Sequence, residues 1–412
     1  MTPQALFYII IGIIILNFLF ETFLDFLNAK RFSADLPDEV SDIYDEDEYQ
    51  KSQSYKKEKF KFGLVESTFS LILVLAFFFL DGFYLVEDFA RSLVSEPILV
   101  SLIFFGIIFL GSDLITTPFS YYFTFVIEEK YGFNTSSRAT FFIDKLKSWM
   151  MAIIVGGIIL TLILLFFQFS GEDFWWYTWI LVALFTIFMN MFYSKLIVPI
   201  FNKQTSLEEG DLRNKIEKYA RKVDFQLDNI FVIDGSKRSK KANAYFSGFG
   251  KEKRITLFDT LVNDLDNEEI VAVLAHEVGH YKKNHIIINL VLSIITIGIT
   301  LWLLSLFINE PLLSQALGVE KPSFHIGLIA FSFLYTPISV VTGLLTNALS
   351  RKFEYQADNY AKHTFAASPL VSALKKLSKK SLSNLTPHPL YVFVHYSHPT
   401  MIKRFRNLKN NS

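Results

Sequence analysis

The chain of 412 residues has no cysteine. That excludes disulfides and thiolate metal ligands, so any bound metal must sit on His, Asp or Glu. Net charge is absent too, because 40 Lys and Arg offset 40 Asp and Glu. A neutral chain gives no electrostatic sign of a nucleic-acid partner. Long stretches lack charge altogether. The composition is 51% hydrophobic with 44 Phe, too apolar for an ordinary soluble globule, and it points to a lipid bilayer. Internal repeats and low-complexity tracts are also lacking.

A spanning helix needs ~20 mostly apolar residues. Seven stretches qualify, near 5–28, 62–86, 97–119, 148–168, 175–200, 285–308 and 325–349. The first has no basic residue before it and no small-residue cleavage site after it, so it reads as a retained anchor. Lys and Arg collect in alternate connections. Lys30, Arg31, Lys51, Lys56, Lys57, Lys59 and Lys61 follow the first span, and Lys130, Arg138, Lys145 and Lys147 follow the third. The polar segments after the fifth and seventh are similarly basic, whereas the intervening loops hold only Arg91 and Lys321. The alternation predicts a multi-pass membrane protein with its N-terminus outside or lumenal and its polar segments in the cytoplasm. The membrane would be the inner membrane in a bacterium or the endoplasmic reticulum in a eukaryote.

The chain therefore divides into a membrane region over 1–200 with spans one to five, a polar segment over 201–284, spans six and seven over 285–349, and a polar tail over 350–412. In the first polar segment, Leu207 to Val223 has a helical pattern. Asn229–Asp234, Asn243–Gly250 and Arg254–Phe258 read as strands. Asp266 supplies an N-cap, followed by the acidic turn Asn267-Glu268-Glu269 and a helix through Tyr281. The tail reads as helical to about Leu382.

That helix contains His276-Glu277-Val278-Gly279-His280. Positions i and i+4 share a helical face, so both imidazoles can reach one ion. Glu277 lies one residue along and can contact a metal-bound water. Zinc lowers the pKa of such a water toward ~7, and a carboxylate can take its proton during attack on a peptide carbonyl. Gly279 costs ~1 kcal/mol of helix propensity against Ala, so close packing is expected there. Two His ligands need a third plus an open position. Glu354 is the best candidate, with Asp358 on the same face, placed to accept the free N–H of a ligating His. His398 can donate to a developing oxyanion, and Arg404 can pair with Asp358. His285, His325, His363 and His388 read as ordinary surface or interface residues. Asn243, Ala244, Tyr245 and Phe246 form a strand that could bind an extended peptide by strand addition. Glu21, Asp25, Glu66 and Asp113 fall in or near apolar runs, where acids usually face a hydrated interior or a partner.

Seven pieces together carry a family resemblance: Thr117–Asn134, Asp234–Ser239, Asn243–Phe246, Phe258–Leu261, the His276 motif, Phe353–Asp358 and Ser397–Pro399. In order and spacing they resemble the zinc-type CAAX prenyl endopeptidases, which cut after a prenylated cysteine. The resemblance implies an all-α membrane fold, with seven spans forming a barrel around an aqueous chamber and a cytoplasmic zinc-protease part containing a small β-sheet. It implies one Zn2+ on His276, His280 and Glu354, with Glu277 as catalytic acid/base and His398 near the reacting carbonyl. Asp358 and Arg404 would support the ligands, and Asn243 would contact substrate backbone. Where the family often has a His before the Asn-Ala-Tyr-Phe run, this chain has Lys240-Lys241-Ala242; Lys403 and Thr400 are further departures. The expected partners are a peptide or protein substrate, prenylated or not, and the bilayer. Two other functions compete: a quality-control protease for membrane proteins without a prenyl requirement, and an inactive scaffold or transporter.

Overall fold

A computed structural model of the chain describes residues 1–32, 35–36, 38–227, 230–248 and 253–409. Seven of its helices are long and apolar enough to cross a membrane. The first is α1 (Pro3–Ala29), started by Thr2, whose hydroxyl accepts from Ala5 N, and by Pro3 in the first turn. The second is α2 (Glu46–Phe79), opened by a reciprocal Asp45–Glu48 capping box. It stops short of the expected 62–86 span. Asp81 takes a left-handed φ of 54°, and α3 (Gly82–Leu93) begins a new, amphipathic helix. A Cβ at Gly82 would run into the Phe77 ring, so the reversal needs glycine.

The third span is α4 (Pro97–Tyr122), continued to Glu128 by a wider π-turn. The fourth joins α5 (Arg138–Met151) and α6 (Gly157–Ser170) through another such turn. It begins ten residues before the expected 148, because Ser137 caps the helix there. The fifth is α7 (Phe174–Leu196), extended by the short α8 (Val198–Phe201).

The polar segment then forms β1 (Gln204–Ser206), α9 (Asp211–Lys222), β2 (Ile230–Ile233), β3 (Ala244–Ser247) and β4 (Arg254–Phe258). The strand order is β1-β2-β4-β3, with β2 and β4 parallel and the other pairs antiparallel. Strand β1 was not expected from the sequence. Asn229, Phe249 and Gly250, at the ends of two expected strands, lie outside the described residues. After α10 (Asp259–Asp264) comes α11 (Asn267–Lys282), which carries the His motif and opens on an Asp266–Glu269 capping box.

The sixth span is α12 (His285–Phe307), followed by α13 (Pro311–Ala316). The seventh, α14 (Phe324–Thr364), runs on well past its apolar stretch into the polar end, as the sequence led one to expect. Helices α15 (Ala367–Lys380), α16 (Pro389–His395) and α17 (Met401–Lys409) complete the chain.

One apolar core joins the sheet, α9, α11, α15 and α17, and includes Ile216, Ile255, Leu257, Leu261, Ile270, Leu274 and Phe405. The spans themselves are loosely covered. Only 6–17% of each most apolar window is buried within the protein, as expected of helices with lipid on one side and an open interior on the other. Asp113 in α4 pairs with Lys145 of α5 at 2.7 Å and accepts from Trp149 Nε1 at 2.8 Å, with both charges part-exposed. An acid at that depth, paired and open on one side, fits a hydrated interior.

Candidate active site

The His276–His280 motif is positioned by two helices in close contact. A Cβ on Gly279 of α11 would lie 3.1 Å from Ala357 Cα, Ala357 O and Tyr360 Cβ on α14. Glycine therefore lets α14 approach, and that approach brings Glu354 and Asp358 to the histidines. Glu269 fixes the other end of α11, because it accepts from Ser372 Oγ at 2.6 Å and Lys376 Nζ at 2.7 Å on α15.

His276 Nε2 and His280 Nε2 lie 3.2 Å apart. Glu354 Oε2 is 3.4 Å from the first and Glu354 Oε1 is 3.3 Å from the second. The three ligand atoms lie within 4.8 Å of one another. Glu354 Oε2 is buried without a hydrogen bond. Two imidazole lone pairs and a carboxylate converging around an orphaned oxygen suit a small divalent cation, and the N,N,O donor set is one that zinc accepts.

A supporting layer holds His276. Its Nδ1 is 2.9 Å from Asp358 Oδ1, and Asp358 is fully buried. Arg404 donates to the same carboxylate, from Nε at 2.9 Å to Oδ2 and from Nη2 at 2.5 Å to Oδ1. An N–H at Nδ1 leaves Nε2 free as a ligand. In the metal-free protein, burial alone would lower the His276 pKa, but the Asp358 and Glu354 hydrogen bonds outweigh it and raise it to about 9. Arg404 Nη1 also lies 3.4 Å from Glu354 Oε2.

His280 has a support that the sequence reading missed. His285 is 1% exposed, not a surface residue, and its Nδ1 is 3.1 Å from His280 Nδ1. Its Nε2 is 2.7 Å from Gln356 Oε1, and its ring stacks on Phe353 at 4.0 Å. Asn284, at φ 60°, turns the chain so that the first residue of α12 meets the last turn of α11. A His five residues beyond the motif, after an Asn able to adopt that φ, was the available signal. His325 is likewise buried, paired with Glu87 and 2.9 Å from Ser101 Oγ. His363 is exposed and His388 part-buried.

A cavity of about 380 Å³ opens onto the metal position, lined by Ala242, Asn243, Ala244, Phe246, Glu277, His398 and Arg404 among others. Burial pushes the Glu277 carboxyl above the usual range, against the opposing charges of His276 and His280. His398 Nε2 is 3.2 Å from Glu354 Oε1, and the side chain is 63% exposed. Among the described residues β3 is the edge of the sheet, and no strand pairs with its outer side. Asn243 precedes it, with Oδ1 accepting from Ala244 N at 2.9 Å. Tyr245 is the one expected substrate residue absent from the cavity lining. Strand alternation turns it to the other face, where its ring meets Phe258.

Comparison with known proteins follows the same outline. Residues 25–203 match the family described as CAAX prenyl protease N-terminal, five membrane helices, and residues 206–412 match Peptidase family M48. CAAX prenyl protease 1 of Saccharomyces cerevisiae is 37% identical, over 97% of this chain and 94% of its own length. The CAAX prenyl protease 1 homolog of Dictyostelium discoideum is 36% identical, over 98% and 96%. The human homolog is 32% identical, over 95% and 93%. The crystal structure of S. mikatae Ste24p superposes with a TM-score of 0.94 at 36% identity, covering 98% of this chain and 99% of that one.

Proposed function

Because the chain belongs to the CAAX prenyl protease family of M48 peptidases, we propose that it is a membrane zinc endopeptidase that hydrolyses peptide bonds near the C-terminus of prenylated CAAX proteins, with Glu277 as its acid/base. The observation that carries this reading is the convergence of His276, His280 and Glu354 at the floor of a cavity bordered by a free strand edge. When bound, the metal supplies a Lewis acid that polarises the scissile carbonyl and acidifies water.

The remaining chemistry belongs to side chains. An extended substrate pairs with the outer edge of β3, and the Asn243 amide engages its backbone. Glu277 takes a proton from the attacking water and passes it to the departing amine. Its raised pKa suits both halves of that transfer. His398, exposed beside Glu354, donates to the carbonyl oxygen as negative charge builds there. Asp358 and Arg404 keep His276 in the ligating tautomer, and His285 does the same for His280. Orientation follows the Lys and Arg alternation: the active site faces the cytoplasm and the N-terminus lies outside or in the lumen. On this reading residues 201–284 and 350–412 form the cytoplasmic catalytic part and the remainder the membrane part.

The test is hydrolysis of a farnesylated CAAX peptide beside an unprenylated unfolded peptide. Preferential cleavage of the first, lost in Glu277→Gln with zinc still bound, is the expected result. Equal cleavage of both would favour a quality-control role, and zinc-free, inactive protein would favour a scaffold.

A further inference from the structure

A second cavity, of about 490 Å³, shares no lining residue with the first and has no role in the chemistry above. Three elements build it. Helix α1 supplies Asp25 from its last turns, α2 supplies Lys56 and Lys59, and the turn after α15 supplies Ser383. Asn28 Oδ1 accepts from Asn384 Nδ2 at 3.3 Å and from His388 N at 3.1 Å, which fastens that turn to α1. Ser52, fully buried on α2, donates to Leu382 O at 3.3 Å and fastens it to α2.

The charges in this cavity are unevenly neutralised. Lys56 is only 8% exposed. An ammonium has three N–H donors. One is met by Ser52 Oγ at 2.8 Å, and no carboxylate pairs with Lys56 among the described residues. Lys59 has no carboxylate partner there either, and lies over the rings of Tyr55 and Phe123 at 5.3 and 5.6 Å. Ser52, Tyr55, Lys56 and Lys59 share one face of α2. Lys241 adds a third ammonium, which engages Glu128 at 2.6 Å, and Tyr55 bonds to the same carboxylate. Asp25, the one acid on the described lining, stands on the α1 wall beside His395 and Tyr391 of α16. A buried ammonium with a neutral acceptor is costly, and an incoming anion relieves that cost.

We propose that this cavity holds the headgroup phosphate of an anionic phospholipid, with Lys56 and Lys59 as its counter-ions. Its place along the spans favours a lipid over a soluble anion. On α1 the lining residues come just before Lys30 and Arg31, and on α2 they end at Gly63, two residues beyond Lys61, the last lysine of that helix. Both helices therefore pass the cavity where basic sequence gives way to apolar sequence, the level at which headgroups lie. Phe26 and Leu64, each next in sequence to a lining residue, are left exposed by the protein, so acyl chains find apolar surface beside the headgroup. Asp25 can accept from a headgroup hydroxyl. On the proposed orientation this is the cytoplasmic leaflet, where anionic lipids are concentrated. Lipid binding here is independent of the reaction at the metal position.

Native mass spectrometry of the full chain in detergent, titrated with dioleoyl phosphatidylglycerol and with dioleoyl phosphatidylcholine, reads the site directly. The first lipid should bind at least ~10-fold more tightly. K56Q/K59Q should bring it to the phosphatidylcholine value. K30Q/K61Q, which removes the same charge from exposed positions outside the cavity, should leave the preference in place. Equal binding of the two lipids by the unmodified protein overturns the inference, and that comparison holds even if K56Q/K59Q does not fold. Equal loss in both double variants also overturns it, because the attraction would then belong to the basic surface at large. Inorganic phosphate should compete only weakly; displacement of phosphatidylglycerol by micromolar phosphate would mark a soluble-anion site and overturn the lipid assignment.

Discussion

On the proposed reading Asp358 and Arg404 act on the metal position through His276, and His285 acts through His280. Removing such a partner typically costs ~10–100-fold in metal affinity. Asp358→Asn and His285→Ala should each weaken zinc binding by that order in a competitive chelator titration, with the helical content unchanged. Unaltered affinity in both would mean that the rings orient themselves. Glu277 makes a pH prediction. Its carboxyl is raised chiefly by burial and must be ionised to accept a proton. Activity should therefore rise with pH through a limb above the ordinary carboxylate pKa of ~4.3, and a limb at or below that value in kcat/KM would contradict the assignment. The sign for stability is opposite. A raised carboxyl pKa favours the folded metal-free protein at low pH, and that contribution is lost as pH rises through the folded-state value. The pairing of His276 with His280 and of Glu354 with Asp358 on shared faces was legible because helical spacing dictates which residues share a face. His285 was not, since it meets His280 through a turn between two helices and no periodicity spans a turn.

Helices α11 and α14 meet where Gly279 leaves room, and the site depends on that approach. Gly279→Ala adds a methyl 3.1 Å from backbone atoms of Ala357, which cannot swing aside. Overpacking of this kind costs ~1–3 kcal/mol, more than the helix propensity that alanine gains. The variant should melt lower and bind zinc more weakly, and a higher melting temperature would show the contact to be slack. Gly279 was legible because it sits inside a strong helix with no turn to explain it. The break at Asp81-Gly82 was not, because hydropathy averaged over twenty residues hides a turn dipeptide inside an apolar run. Strand β1 is three residues long and pairs along one side only, with β2, so its local pattern is too short to stand out.

Seven crossings would place the chain termini on opposite sides of the membrane, and the absence of cysteine makes this simple to check. Single cysteines at Lys321 and Lys237 should react with an impermeant thiol reagent from opposite faces, Lys321→Cys from the outside or lumen and Lys237→Cys from the cytoplasm. Labelling of both from one face would break the topology. Far from the metal position, Glu87 of α3 and His325 of α14 are both nearly fully buried and paired, with Arg91 and Ser323 completing the cluster. This cluster ties α3, the helix after the second span, to the seventh. The whole assembly positions one carboxylate, delivered by the last span, against two imidazoles on a helix of the polar segment. Diffraction from the purified protein at energies on both sides of the zinc edge tests that claim most directly. An anomalous peak ~2.0–2.2 Å from His276 Nε2, His280 Nε2 and a Glu354 oxygen is the expected result; a peak elsewhere, or one with Glu354 turned away from it, would contradict the account.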